Sequence, residues 1–302
     1  MTRVQVLLGT YNAGSYLPQL LDSVFRQAGV TVDVLARDEG STDGSWETLQ
    51  RYAAGHPLST ARGERLRQSG NYFWLLRHAS REAEYLAIAD QDDVWLESKL
   101  ARAAELLAGI GPSTPAMYCS RRTLVDAELR VIGLSQPVPR GPSFENSLVQ
   151  NIASGPTIVI NQAARAALDR GYPTSVFLYD WWMYQVIAGL GTVVFDRESH
   201  ILYRQHGGNL VGDKPSALGR LSMSVRRARA RGFRHYSNAQ IAELDRIHGE
   251  YLDRPRRELL RGQLEARRTL PERVRRARRP GVLFQATWQQ LVFQCLILLN
   301  RA

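Results

Sequence analysis

The sequence predicts an α/β protein, a mixed central sheet flanked by helices, with a helical, basic C-terminal extension. Three observations predict it. Apolar runs of strand length alternate with segments of helical period, the pattern of a sheet covered by helices. Polar residues gather just beyond three of the predicted strands. The charge is also divided. Of the net +10 on 302 residues, residues 214–302 hold 20 basic and 7 acidic side chains, a net of +13, which leaves 19 basic and 22 acidic in residues 1–213. A near-neutral body with a basic tail suggests chemistry in the first and contact with something anionic through the second.

The elements follow in order. "VQVLL" (4–8) reads as a buried strand. Leu17, Leu20, Leu21, Val24 and Phe25 then share one helix face, with Ser15 in the N-cap position. "TVDVLA" (31–36) is a second strand running into the turn-rich "RDEGSTDGS", and a helix follows from Ser45 to Ala54. "GNYFWLLRHAS" (70–80) predicts a helix, "EYLAIA" (84–89) a strand, and "WLESKLARAAELL" (95–107) a helix. "AMYCSR" (116–121) and "PTIVIN" (156–161) predict strands, and "LYDWWMYQVIAGLG" (178–191) a helix ending at glycine. "TVVF" and "HILYRQH" read as two short strands, and after Asp213 the pattern is helical and arginine-rich. The expected organisation is a catalytic body, 1–213, with a nucleotide-binding half at 1–110 and an acceptor half at 111–213, followed by the extension 214–302.

In a sheet of this kind ligands sit beyond the carboxyl ends of the strands. Thr10-Tyr11-Asn12, Asp38-Glu39 and Asp90-Gln91-Asp92-Asp93 all fall there, although 77 residues of chain separate the first group from the last. Three carboxylates within four positions repel one another unless a cation sits among them. A hard divalent ion, Mg2+ or Mn2+, takes oxygen ligands and keeps room for phosphate oxygens. The alternative is an acidic helix N-terminus, where Asp92 and Asp93 would favour the dipole.

Composition excludes several classes. The apolar fraction of 44% is ample for a large core. Cys119 and Cys295 have no metal-ligand spacing and form no disulfide framework, which fits a reducing compartment. The first apolar run is too short for a signal peptide, and no stretch approaches the ~20 apolar residues of a spanning helix. A cytoplasmic location is expected. No GxGxxG opens the first helix, which disfavours a dehydrogenase. "GTYNAGSYL" carries no Lys or Arg for a triphosphate, which disfavours a nucleotidyltransferase. A nucleic-acid-binding protein, argued from the tail, is the alternative from another class. It is disfavoured because the motif-bearing body is slightly acidic.

"TYNAGSYLPQLLDSV", "DEGSTDG", "ADQDDVW" and "YDWW…YRQHGGN", in this order and spacing, resemble glycosyltransferase family 2, in particular the rhamnosyltransferase-like branch of bacterial surface-polysaccharide enzymes. The resemblance covers residues 3–213. It implies the GT-A fold, a nucleotide-diphosphate sugar donor, a divalent metal and inversion at the anomeric carbon. By motif it implies that Thr10, Tyr11 and Asn12 cradle the nucleobase and that Asp38 accepts from a pyrimidine N3–H, so that the donor carries UDP or dTDP, with dTDP-rhamnose the suggested sugar nucleotide. It places Asp90 near the ribose beside Gln91, Asp92 on the metal, His206 at the metal or diphosphate, and Asn71 at a donor contact. Asp93 either assists or caps the following helix. Glu39 stands where the family has a second aspartate, and its role is open. Asp180 matches the base that takes the acceptor hydroxyl's proton, its apolar neighbours raising its pKa. Trp181 and Trp182 offer a flat face to a sugar or belong to the core, at least one of them the latter. Gly155 in "SGPTIVIN" matches the acceptor side. Arg204 is undecided between diphosphate and a local acid. His56, His78, His200, His235 and His248 have no partner pattern.

In the tail, Phe284, Trp288, Leu291, Val292, Cys295, Leu298 and Leu299 fall on one face of a helix, and Gln285, Gln289, Gln290 and Gln294 on the other. The run "RVRRARRP" (273–280) precedes them. Such a pair suits an anionic membrane surface, where a lipid-linked acceptor would be found, or else packs on the body or in a homo-oligomer. The expected acceptor is a glycan or lipid-linked hydroxyl, and no nucleic-acid partner is expected.

Overall fold

The computed structural model describes residues 1–174, 176–205, 231–265 and 269–299, the stretch 231–237 by its backbone alone. The first half runs β1 (Arg3–Thr10), α1 (Tyr16–Phe25), β2 (Thr31–Asp38), α2 (Ser45–Ala53), β3 (Leu58–Arg62), α3 (Arg67–His78), β4 (Tyr85–Ala89), β5 (Val94–Trp95) and α4 (Lys99–Ala108). The second half adds β6 (Ala116–Val125), β7 (Val131–Leu134), α5 (Phe144–Ser147), a 3-10 turn (Gly155–Thr157), β8 (Val159–Asn161), α6 (Gln162–Leu168), α7 (Tyr179–Leu190) and β9 (Thr192–Arg204). The extension contributes α8 (Arg231–His248), α9 (Arg254–Leu264), α10 (Leu270–Arg278) and α11 (Thr287–Leu298).

The strands form one mixed sheet in the order β3-β2-β1-β4-β8-β6-β9-β5, with β7 added against β6. β1, β2, β3 and β4 are mutually parallel, whereas β8 is antiparallel to both β4 and β6. The register sets the site. Thr10 lies opposite Asp38, and Leu8 opposite Ala89, so the chain leaves β1, β2 and β4 at one rim.

Two apolar cores cover the sheet's faces. One joins α1, α4 and the outer sides of β1 and β2 through residues such as Leu17, Leu20, Val34, Leu100 and Trp95. The other is built around α7, with Trp181, Trp182, Met183, Tyr184, Val186 and Ile187 all buried. Such a helix, apolar on every side, belongs in an interior. It ends at Gly191, where a Cβ would lie 1.9 Å from the Pro115 carbonyl oxygen. Ile241, Leu244, Leu252, Leu260 and Val282 join this second core, so the extension shares the body's interior.

Four features depart from the sequence reading. β3 received no assignment from the sequence; its alternating, partly exposed "LSTAR" carries too little apolar signal. Trp95 does not begin a helix. It pairs antiparallel with Ile201, and the helix starts at Lys99. "TVVF" and "HILYRQH" belong to one 13-residue strand, β9, which follows β6 in parallel through two register shifts. Ser15 occupies the N-cap position of α1, but its side chain makes no capping hydrogen bond. Among the described residues no helix is long and apolar enough to cross a membrane.

Candidate active site

The rim is built first by hydrogen bonds between the loops after β1 and β2. Thr10 Oγ1 donates to Asp38 Oδ2 at 3.2 Å, Asn12 N to Ser41 Oγ at 2.9 Å, Ala13 N to Ser45 Oγ at 2.9 Å and Gly14 N to Asp43 Oδ2 at 2.8 Å. In return Thr42 N donates to Asn12 Oδ1 at 2.9 Å. This crossing holds Asn12 at a φ of +48°, a conformation asparagine tolerates better than most residues. The loop after β4 is tied in by Gln91, which accepts from Tyr11 N at 2.8 Å and donates to Tyr11 O at 3.2 Å. The three strand ends therefore meet, as the fold class required. Arg65 lies over the Tyr11 ring, 3.9 Å from its centroid.

Asp38 is fully buried and well supplied. Its Oδ1 accepts from Gly40 N at 3.0 Å and Ser41 N at 2.9 Å, its Oδ2 from Thr10 and the Ser41 hydroxyl, and Arg62 Nε stands 3.5 Å away. Glu39, whose role was open, accepts from Leu66 N at 2.7 Å and pairs with Arg37 at 3.4 Å. It pins the loop after β3 and faces no open space. Asn71 is likewise buried, its Oδ1 accepting from Arg37 Nη1 at 2.9 Å. A Cβ on Gly9 would come within 2.9 Å of the Asn71 amide nitrogen. The structure thus places Asn71 behind β1, holding Arg37, and not on a face a donor could reach.

The acid cluster is the opposite kind of environment. Burial first, then the charge of Asp92, pushes the Asp90 carboxyl up to about 7, against a hydrogen bond from Tyr72. That Tyr72 hydroxyl donates to Asp90 Oδ1 at 2.9 Å and to Ala89 O at 2.6 Å. Asp93 is fully buried, and burial with the charges of Asp92 and Asp90 drives it well above the carboxylate range. Its Oδ1 accepts from Arg204 N at 3.0 Å, while its Oδ2 has no hydrogen-bond partner. Asp93 does not cap the next helix, which begins six residues later. Arg204 is a brace: it donates to Asp92 O at 2.9 Å, to Gln19 Oε1 at 2.7 Å and to Ala127 O, and lies over Tyr16. These contacts serve the backbone and α1.

Asp180, in the first turn of α7, faces the same cluster. Burial pushes its carboxyl up to about 6, opposed by hydrogen bonds from Trp181 N and Gly155 N, the charge of Arg122 and the side chain of Asn151. The backbone bonds measure 2.7 Å and 3.1 Å. Its charge in turn raises Asp90. Gly155 is required here, since a Cβ would lie 1.9 Å from the Tyr179 hydroxyl. That tyrosine stacks on Tyr72 at 4.1 Å, linking the two acids through one aromatic pair.

Trp181 and Trp182 are both buried, so the core alternative holds for both, and the acceptor-side placement is corrected. Trp181 Nε1 donates to Ser147 O at 2.6 Å. The exposed ring nearby is Phe177, edge-on to Trp181 at 6.5 Å. His206 lies outside the described residues.

The sequence reading missed Arg122. It sits on β6 with its guanidinium 4.5 Å from the Tyr203 ring centroid, and its charge lowers Asp90, Asp93 and Asp180 alike. A lone arginine on a strand has no spacing signal; only the pairing of β6 beside β8 and β9 brings it to the carboxylates.

Among the described residues no group of three His, Cys, Asp or Glu forms a ready metal cage. The chemistry nevertheless fits a hard cation held by one or two carboxylates and completed by ligand phosphates. Clustered acids raise one another, and a buried carboxylate oxygen is left without a partner.

A mixed sheet whose strand-end loops converge on such acids, covered by helices on both faces, defines a glycosyltransferase of the GT-A fold. The family model for glycosyl transferase family 2 matches residues 5–168, and the chain belongs to that family. It is 24% identical over 220 residues to the dTDP-rhamnosyl transferase RfbG of Shigella flexneri, spanning 68% of this chain and 73% of that one. Two solved structures share the fold. S. aureus TarS 1-349 in complex with UDP-GlcNAc has a TM-score of 0.57 at 15% identity, covering 100% of this chain and 89% of that one. The mannosyltransferase PcManGT from Pyrobaculum calidifontis, in complex with GDP-Man and Mn2+, has a TM-score of 0.51 at 21% identity, covering 99% and 86%. Family membership sets aside the nucleotidyltransferase reading of the body.

Proposed function

We propose that this glycosyltransferase moves a sugar, rhamnose by its relative, from a dTDP- or UDP-linked donor to a hydroxyl of a glycan or lipid-linked acceptor, with inversion, in surface-polysaccharide synthesis. The observation that carries the reading is the placement of Asp180 within charge reach of Asp90, beside the stacked pair of Tyr72 and Tyr179. The candidate base and the strand-end acids thus feel one another's charge.

In this reading the rim of Thr10, Tyr11, Asn12 and Gln91 receives the nucleoside, and Asp38, fully buried with its oxygens taken by Thr10, Gly40, Ser41 and Arg62, holds that rim in shape in place of the direct contact to the base expected from the sequence. Asp92 would hold Mg2+ or Mn2+, which when bound supplies Lewis-acid stabilisation of the leaving diphosphate. Arg122, whose charge lowers both Asp90 and Asp180, would balance negative charge beside the transferred sugar. Asp180 takes the acceptor hydroxyl's proton as that oxygen bonds to the anomeric carbon and the bond to the diphosphate breaks, the electron pair leaving with the nucleotide. A carboxyl at about 6 is largely ionised at neutral pH yet basic enough to accept that proton.

A screen of UDP-, dTDP- and GDP-sugars for hydrolysis with Mn2+ or Mg2+ tests the donor class. The expected result is metal-dependent turnover of a uracil or thymine nucleotide. Asp92→Ala is expected to abolish the metal-dependent part of donor binding by calorimetry. Unchanged donor affinity with Mn2+ in that variant excludes Asp92 as the metal acid.

A further inference from the structure

Helix α11 is mounted with its polar side inward. Gln285 Nε2 donates to Gly141 O at 2.8 Å, Gln150 Nε2 to Gln289 Oε1 at 3.4 Å, Phe284 N to Gln290 Oε1 at 2.9 Å and Gln294 Nε2 to Ala277 O at 2.9 Å. Only Ile297 of this helix is fully buried, with Phe293 against Phe284. The opposite face, Trp288, Leu291, Val292, Cys295, Leu298 and Leu299, is exposed, Leu291 by 57% and Leu299 by 65%. Scattered apolar residues on a surface need no explanation, but a contiguous stripe on one helix does.

The flanking helix α10 identifies the occupant. It is joined to α11 by the Gln294 bond and by Arg273 Nη1, which donates to Leu298 O at 2.9 Å. Its exposed side carries Arg275 and Arg278, with Arg279 just beyond, and Glu272 is its one acid. An apolar stripe edged by guanidinium groups complements acyl chains beneath anionic headgroups. A second copy of the chain fits less well. A two-fold contact would bring the same arginines face to face.

The mount also bears on the site. Gln150, which accepts from Gln285 N at 2.9 Å, directly precedes Asn151, whose side chain bonds Asp180. We propose that the α11 stripe and the α10 arginines rest on an anionic lipid surface and thereby turn the Asp180 side of the site toward an acceptor carried in that surface.

The test is vesicle co-sedimentation of the full chain with phosphatidylcholine alone and with phosphatidylcholine containing phosphatidylglycerol. Binding is expected on the anionic vesicles and to fall as salt rises. The double variant Leu291→Ser, Leu299→Ser and the double variant Arg275→Ser, Arg278→Ser should each weaken it, the second by roughly tenfold or more. Brominated lipid should quench the wild type more than Trp288→Phe. All these positions are exposed, so circular dichroism and hydrolysis of a water-soluble donor should stay unchanged, which separates failure here from failure of the sugar-transfer reading. Wild-type protein that ignores anionic vesicles, or variants that bind as well as it does, overturn the proposal. So does a wild-type dimer that the Leu variant converts to monomer without any lipid binding.

Discussion

The nucleotide rim and the acid cluster are neighbours made from the same residue types, and they are built on opposite principles. At the rim Asp38 is surrounded by donors, two backbone N–H groups, two hydroxyls and an arginine. In the cluster Asp90, Asp93 and Asp180 are raised by burial and by one another, and Asp93 keeps an unpartnered oxygen. The first arrangement is preorganised and stable without ligand. The second is strained by its own charge, and becomes comfortable only when a cation or a proton arrives. In the proposed reading recognition falls to the first and chemistry to the second, and that division can be probed by making the same change on both sides.

The largest effect is expected from Asp180→Asn. An amide cannot take a proton, so transfer should fall by roughly 100- to 10,000-fold while donor binding is kept. In the wild type the rate at limiting substrate should rise with pH through the region of the Asp180 carboxyl, about 6, and that limb should vanish in the variant. Near-normal turnover in Asp180→Asn excludes it as the base.

Asp38→Asn should cost about 1–3 kcal/mol of stability, because charge-assisted bonds from Gly40, Ser41 and Arg62 become neutral or are lost. Urea unfolding measures it. A variant as stable as the parent would show that the rim is less saturated than its geometry says.

Asp90→Asn should act in the other direction. A carboxyl whose folded pKa lies above its unfolded value of 3.8 makes no difference well below that value, where both states are protonated. As pH rises toward about 7 the unfolded chain ionises first, and folding becomes progressively less favourable. Removing the charge should therefore stabilise the metal-free protein at pH 8 by something on the order of 1–2 kcal/mol, a figure reduced for solvent screening because the side chain keeps some contact with solvent. The gain should disappear near pH 4. Adding Mn2+ should stabilise the wild type and narrow the gap. A loss of stability at pH 8 would contradict the strained cluster.

How much of this was legible in the sequence depends on the kind of signal. β1, β2, β4 and α1 were plain, because buried strands and one-sided helices repeat their apolar residues at fixed periods. The convergence of Thr10, Asp38 and Asp90 was legible too, since strand ends in such a sheet share a rim. Trp95 was misread because a two-residue strand is too short to break the period of the helix after it. Asn71 and the Trp181-Trp182 pair carry polar or aromatic groups suited to ligands, and only packing shows them turned inward. Arg122 stands on a strand with no motif around it, and no pattern of spacing could have joined it to the cluster, whereas Arg204 was singled out only through its motif.

The smallest effect tests the seam between the two regions. Tyr72 reaches from α3, on the rim side, to Asp90, and its hydroxyl is a bond that eases the cluster's strain. Tyr72→Phe keeps the ring and its stack on Tyr179, so the packing should survive. It removes a bond to Ala89 O as well, and the expected loss of stability is about 1 kcal/mol. The sharper readout is the acid itself. Without the hydroxyl, burial and the charge of Asp92 are less opposed, so the Asp90 carboxyl should rise further above its present value of about 7. Carboxylate titration by NMR in the metal-free protein would follow it. A rise means that the rim side steadies the cluster through this one bond; an unchanged or lower value means that the relief comes from Arg122 alone, and that the two regions are electrostatically independent.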